Sequence, residues 1–534
     1  RNWTAIGLPC CDTYAIVDPR GLISPKPDQW SLDFWLVAPD GRRLYPSQAE
    51  HATQSVDHAN GLAVVTEIRS DFGSIRHRAE IVARGRDLVL EVWVDTAATE
   101  PESRLVVAVR PYDPEGIQFT DTISLEDRTV SVHGEAETRI HLSQAPDAIY
   151  VSDYDRGDVA HWLGDDESRD AAVHCPVGMA TAAFAYSCRD DRRASLELAV
   201  PLGPLPPTDN TRRPAGGGDA WKAALAGTAE CRVPDARFQK LYENAKRTVL
   251  LLSGGDIVPG PYTYKRFWFR DACLMLNSIF ALGKMQLAFD RIDRFPAQQK
   301  GDGFFHSQEG EWDSNGQVLW VMDRYARLSG RALPESWLES MEAGAAWILK
   351  KRRSGHRPPH AHGLLPAGFS AEHLGPNDYY FWDNFWSIAG LRGAVRQLRA
   401  AGRDDDANAL SEKASAFERD VWRAVDEAPA ARRHGAIAAA PGRRLDSGAI
   451  GSMVADYPLH LTDAGDARIR ATLDFLLDNS MYRNGFFQNM IHSGVNAYLT
   501  LDLAQTLLRF GDERYRALVY ATADWPSPTG NWPE

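Results

Sequence analysis

The sequence predicts a multidomain chain, an N-terminal antiparallel β-sandwich followed by a helical toroid or a set of stacked helical hairpins. Three observations predict it. Residues 1 to about 200 hold short β-branched and apolar segments separated by turn formers. Residues 201–218 (Pro201-Leu202-Gly203-Pro204, later Gly216-Gly217-Gly218) are Pro/Gly-rich and read as a loop. From Pro234 onward the apolar residues recur with a helical period. The expected domains are 1–232, containing that loop, and 233–534.

In chain order, residues 61–68, 75–82, 87–94 and 104–109 alternate or run in the manner of strands, beside turns at 40–41, 71–73, 84–86 and 113–116. Residues 221–231 are expected to form a last strand returning to the sandwich. Asp235 is placed to cap a helix over 236–252, and a buried amphipathic helix is expected over 271–282. Further helices are expected near 317–329, 335–352, 380–400, 404–424, 447–456, 466–478, 495–510 and 512–522. No repeat of fixed length is present, which argues against a solenoid.

Composition narrows the class. A net charge of −13 argues against nucleic acid, because phosphate contacts need a basic face. No apolar run reaches the length of a membrane span. Six cysteines without a CxxC pair favour a reducing compartment, so the chain reads as cytoplasmic or secreted with the cytoplasm preferred. Arg1 in place of Met reads as a trimmed start. The acidic stretch 153–170 could hold calcium or be a solvated loop, and the loop reading is preferred. His356, His360 and His362 lack a carboxylate or cysteine to complete a cluster, so neither a metal site nor a cofactor is assigned.

Four junctions carry chemistry. The most informative is the sixteen-residue stretch 372–387, with its junction at 377–383, six aromatic rings between Tyr379 and Trp386 and one acid, Asp383, directly after Trp382. Rings stack on the CH faces of sugars, and apolar walls raise the pKa of a carboxyl group, as a proton donor needs. The competing structural reading is a buried helix face of Tyr379, Trp382 and Trp386. At Trp268-Phe269-Arg270-Asp271, adjacent Arg and Asp can present donors and acceptors together to vicinal hydroxyls, or Asp271 can cap a helix. At Glu311-Trp312-Asp313-Ser314-Asn315-Gly316-Gln317, Ser314 and Gln317 have capping-box spacing, while Trp312 and Asp313 stand before the cap. Last, Trp532-Pro533-Glu534 lies in a Gly/Pro loop. Asp383 and Glu534 would form the pair of carboxylates that glycoside hydrolysis uses, one protonated and one ionised.

With these junctions laid out, residues 235–534 resemble the glucoamylase-type enzymes, glycoside hydrolase family 15, and the β-domain resembles the sandwich preceding the barrel in bacterial members. The resemblance implies an (α/α)6 helical toroid of six hairpins. About ten helices follow residue 234, so the last ones would lie beyond Glu534 and the catalytic domain would be truncated. Trp268-Phe269-Arg270-Asp271 is similar to the family's Trp-x-Arg-Asp element, implying that Arg270 and Asp271 bind sugar in subsite −1. Residues 312–317 fall where the family has an aromatic and polar substrate loop, which adds Trp312, Asp313 and Gln317. Phe381-Trp382-Asp383-Asn384 resembles the family's Trp-Glu-Glu, implying that Asp383 is the general acid. Here Asp stands for the family's first Glu, and Asn384 replaces its second acid. Glu534 corresponds to the catalytic base by chain order and loop context. Tyr380 and Trp382 would shape the pocket wall.

The expectation is an exo-acting, inverting glycosidase for α-linked gluco-oligosaccharides or glucosides. A phosphorylase would use His492, Ser493 and Gly494 for phosphate. A polysaccharide lyase would use Tyr379, Asn377 and His373, although uronates call for more basic residues. A non-catalytic sugar-binding protein is the remaining alternative.

Overall fold

The computed structural model describes every residue except 1–2, 10, 60, 164–169, 206–216, 354, 371–374, 490–493 and 534. The first half consists of antiparallel sheets. One has nine strands and is centred on Ala63–Ser70, Gly73–Arg84, Asp87–Ala98 and Arg193–Pro204. Two-residue turns join its first three, Asp71-Phe72 and Gly85-Arg86. Gly85 takes φ 64°, the left-handed conformation such a turn requires. The second, of eight strands, is built around Ser31–Val37, Arg104–Arg110, Thr181–Ser187 and Ala148–Ser152.

Residues of both sheets share one apolar core, including Val64, Ile75, Leu90, Leu196, Phe34, Leu105 and Phe184. Ser31–Val37 is buried at every position. Leu32, Phe34 and Leu36 enter that shared core, and Trp35 and Val37 enter a second cluster with Val106, Ala108 and Tyr150 on the other face.

The expected strand over 221–231 is a helix, α1 (Gly217–Leu225). Ala220, Trp221, Ala224 and Leu225 recur at helical spacing and bury one face against the sheet core, with Trp221 Nε1 donating to the Gly7 carbonyl at 3.1 Å.

The second half is helical: α2 (Ala236–Leu251), α3 (Phe269–Ala281), α4 (Met285–Ile292), α5 (Phe295–Gln298), α6 (Ser314–Ser329), α7 (Glu335–Lys351), α8 (Phe381–Ala400), α9 (Asp404–Glu427), α10 (Pro429–His434), α11 (Ala467–Asn479), α12 (Ala497–Arg509) and α13 (Tyr515–Asp524). Asp235 caps α2 by accepting from the Arg237 and Phe238 amides, and Asp466 and Asn496 cap α11 and α12. The expected helix over 447–456 is a 3₁₀ segment, Ser447–Ala455, buried at all nine positions. Its Gly448 and Gly451 weaken the α conformation, and full burial leaves no amphipathic face to favour it.

Packing runs in a circuit. α2 lies on α3, α3 on α6, α6 on α8, and α8 on Ser447–Ala455. That segment contacts α11 and α12, α12 packs on α13, and α13 returns to α2. α6 and α8 approach most closely where glycines meet. A Cβ at Gly316 would stand 2.3 Å from the Trp386 carbonyl carbon, and one at Gly390 would stand 2.5 Å from the Gly316 oxygen. This contact fixes the N-terminal ends of α6 and α8 against each other.

The halves are joined by packing as well as by chain. Leu250, Leu251 and Leu252 at the end of α2, with Val258, belong to the sheet core. Residues 527–531 are stitched to the first strand, Thr4–Gly7. Thr529 Oγ1 lies 2.7 Å from Thr4 Oγ1, and the Thr529 carbonyl accepts from Asn244 Nδ2 of α2 at 2.6 Å. Among the described residues no helix is long and apolar enough to cross a membrane.

Candidate active site

Three helix N-termini meet at the site, and each carries an acid in its first turn or at its N-cap: Asp271 on α3, Asp313 before α6 and Asp383 on α8. The positive end of a helix favours negative charge there. The loop between α5 and α6 is anchored by the residues that open α6. Ser314 Oγ donates to the Phe305 carbonyl, Asn315 Oδ1 accepts from the Phe305 amide at 2.9 Å, and Asn315 Nδ2 donates to the Gly303 carbonyl at 2.9 Å. The expected capping box is therefore absent, because Ser314 is already helical and its hydroxyl holds the loop. Ser307 Oγ in turn accepts from the Phe269 amide at 2.9 Å, which ties this loop to the start of α3.

Arg270 is buried at the centre of an acidic cluster. Its Nη1 lies 3.3 Å from both Glu311 Oε1 and Asp313 Oδ2, and its Nε lies 3.8 Å from Asp271 Oδ2. Asp313 Oδ2 also accepts from Trp382 Nε1 at 2.8 Å and Gln317 Nε2 at 3.1 Å, which joins α8 and α6 to α3. Burial chiefly raises the Glu311 pKa, to about 7, with Asp313 and Asp271 adding to the rise and Arg270 opposing it. Asp271 is also raised, again mainly by burial. Four acceptor oxygens in the cluster are buried and accept no hydrogen bond among the described residues: Asp271 Oδ2, Glu311 Oε2, Asp313 Oδ1 and Gln317 Oε1.

A cavity of about 440 Å³ opens beside Arg270 and Asp271. α3 lines it with Arg270, Asp271, Leu274 and Ser278, α8 with Trp382 and Trp386, α12 with Tyr498 and Asp502, and the turn after Ser447–Ala455 with Tyr457 and Pro458. The Trp382 and Trp386 rings meet edge to face at 5.7 Å. An aromatic wall facing carboxylates can stack a sugar's CH face while accepting from its hydroxyls.

The structure brings Arg270, Asp271, Asp313, Gln317 and Trp382 together. Asp383 follows Trp382 and is 1% exposed; helical rotation carries it off the wall that Trp382 and Trp386 form. Asn384 is committed to the backbone, accepting from the Leu365 amide at 3.0 Å and donating to the Tyr380 carbonyl at 2.7 Å. Tyr380 donates to the Pro376 carbonyl at 2.7 Å and lies beneath the Arg443 guanidinium.

Trp312 is buried with Phe304 and Trp347, and Lys351 Nζ sits 3.7 Å above its ring. Trp268 stands with Tyr264 and Arg266 on the loop before α3. Glu534, and the alternative residues His373, His492 and Ser493, lie outside the described residues. Sequence reasoning passed over Glu311, Tyr457, Tyr498 and Asp502. Tyr498 and Asp502 stand four apart after the Asn496 cap, a spacing that was legible. Glu311 opens a junction singled out above but was given no role there, and nothing local marks Tyr457.

No protein-family model matches the chain, and no curated protein matches it. Solved structures do. The chain shares its fold with a bacterial glucoamylase. That protein, crystallised with acarbose, aligns at TM-score 0.71 and 10% identity over 99% of this chain and 91% of its own. A family GH78 rhamnosidase of Bacillus sp. GL1 aligns at 0.44 and 13% identity, over 83% of this chain and 42% of its own. A glucoamylase of Saccharomycopsis fibuligera aligns at 0.40 and 14% identity, over 51% and 73%.

Proposed function

We propose that the chain is an exo-acting, inverting glycoside hydrolase that releases glucose from α-linked gluco-oligosaccharides or glucosides. Residues 1–232 would be a β-sandwich domain and residues 233–534 an (α/α)6 catalytic toroid. The closed circuit of helix packing and the glucoamylase fold support the toroid.

One observation carries the functional reading: four buried acceptor oxygens that accept no hydrogen bond among the described residues cluster with Arg270 beside a Trp- and Tyr-lined cavity. Leaving buried acceptors unpaired costs about 1–3 kcal/mol each, a cost that ligand hydroxyls would remove. A sugar in the cavity supplies a donor for Asp271, an acceptor for Arg270, and CH faces for Trp382 and Trp386, while Glu311, Asp313 and Gln317 back Arg270 from behind.

In this mechanism the general acid is assigned to Asp383 by the family resemblance; buried behind the Trp382 wall here, it would have to turn toward the cavity to protonate the glycosidic oxygen as the bond breaks. A second carboxylate activates water on the opposite face of the sugar, a role assigned to Glu534 by chain order. Trp312, Trp268 and Tyr380 would support the pocket from behind, and Asn384 would hold the turn that presents Trp382 and Asp383.

The test is turnover of a panel of di- and oligosaccharides, with the released anomer followed by NMR. We expect α-linked glucosides to give the β-anomer first, and Asp383→Asn to lower kcat about 10²–10⁴-fold. Release of the α-anomer would refute inversion, strict dependence on inorganic phosphate would indicate a phosphorylase, and silence on every sugar would refute the enzyme class.

A further inference from the structure

Glu311 holds a place in the cluster that the proposed hydrolytic mechanism leaves unused. It stands on the loop before α6 rather than on a helix, is 3% exposed, and has one oxygen toward Arg270 and the other without a donor among the described residues. Arg270 Nη1 is divided between it and Asp313 at equal 3.3 Å distances. Charge-assisted bonds close to about 2.7–2.9 Å, so neither carboxylate holds the guanidinium fully. We propose that Glu311 is a positioning residue: by holding or releasing one proton it decides how Arg270 is shared between Asp313 and Asp271, and so whether the sugar-binding face is assembled. The proposal rests on the glycosidase reading of the same site.

The charges around it make this a two-state element. From α3 come Arg270, Asp271 and the Cys273 thiol, the last itself pushed up by burial and by Asp313 and Asp271. Asp313 comes from Glu311's own loop, and α8 contributes the Trp382 indole, with Asp383 in the next position. One guanidinium thus faces three carboxylates. With Glu311 protonated the surplus is one negative charge, and Arg270 is released toward Asp313 and Asp271. With Glu311 ionised the surplus is two, and Arg270 is drawn back between Glu311 and Asp313. The rise of the Glu311 pKa to about 7 puts the change near neutrality.

The experiment measures KM and kcat against pH for the full chain, for Glu311→Gln and for Glu311→Asp, using the best α-glucoside from the panel. We expect the wild-type KM to rise about tenfold between pH 6 and pH 8 with kcat little changed, as the competent fraction falls. Glu311→Gln, permanently neutral, should have a KM flat over that range, and Glu311→Asp should restore the pH dependence. A Glu311→Gln variant that keeps the wild-type KM profile, or loses kcat in proportion, would overturn the proposal. Melting temperature gives a readout that needs no substrate. The melting-temperature gap between wild type and Glu311→Gln should change between pH 5 and pH 8, and an unchanged gap would overturn the proposal whether or not any sugar is cleaved. Silence on all sugars combined with a shifting gap would refute the glycosidase reading, and with it the sugar-positioning role, while leaving the proton on Glu311 established.

Discussion

Arg270 partly neutralises a cluster of two buried acids, Glu311 and Asp313, and the half-buried Asp271. Removing one partner of a buried ion pair costs about 3–5 kcal/mol, because the remaining charges are left uncompensated. Arg270→Met should therefore lower stability by about that amount at pH 8 and by less at pH 5, where the carboxylates with raised pKa take up protons; denaturant titrations at both pH values check it. Glu311 gives a second prediction with a definite sign. Its folded pKa is raised above the unfolded value, so the native state binds the extra proton. Stability contributed by that proton is complete at low pH and is lost as pH rises toward 7, on the order of 3 kcal/mol in all. Wild type should thus gain on Glu311→Gln as the pH is lowered from 8 to 5. The sequence made Arg270 and Asp271 legible because they adjoin at a helix start. It left Glu311 mute, since a carboxyl group's pKa depends on neighbours from other helices. It placed Asn384 where the resembled family has a second acid, and tertiary packing turned both its amide atoms to the backbone.

At the level of elements, the contact between α6 and α8 decides where the site residues stand. Gly316 faces backbone atoms of Trp386 and Ser387, and nothing there is a flexible side-chain end. Gly316→Ala should force α6 and α8 apart, costing about 1–3 kcal/mol and lengthening the Trp382–Asp313 hydrogen bond. Thermal melts together with a loss of sugar affinity would show both effects; an unchanged melt would disprove the packing argument. Several of the long helices were readable because they have an apolar stripe or a polar cap, such as Asp235 and Asp466. The short ones were not, since α4, α5 and α10 are too brief for a period to emerge. Residues 217–225 misled because their apolar side chains are mostly alanine, whose helical preference was outweighed by the expectation of another strand.

Over the whole molecule, the sheets and the helices are bound by common core residues. Leu250, Leu251 and Leu252 leave α2 to pack among strand residues. We expect one calorimetric transition for the full chain, and a fragment of residues 233–534 alone should aggregate as those leucines meet water; two well-separated transitions would contradict this. The order of sheets first and helices second was legible from the shift in periodicity near residue 234, but this interlocking was not, because it depends on three-dimensional neighbours that no local window contains. The stitch between Thr4 and Thr529 has a consequence for biosynthesis. A ribosome releases the opening strand long before its distant partner exists, so this contact must wait through synthesis of more than five hundred residues before it forms. During that interval the early strand lacks its late partner, and a holdase chaperone that covers it should raise the yield of native protein.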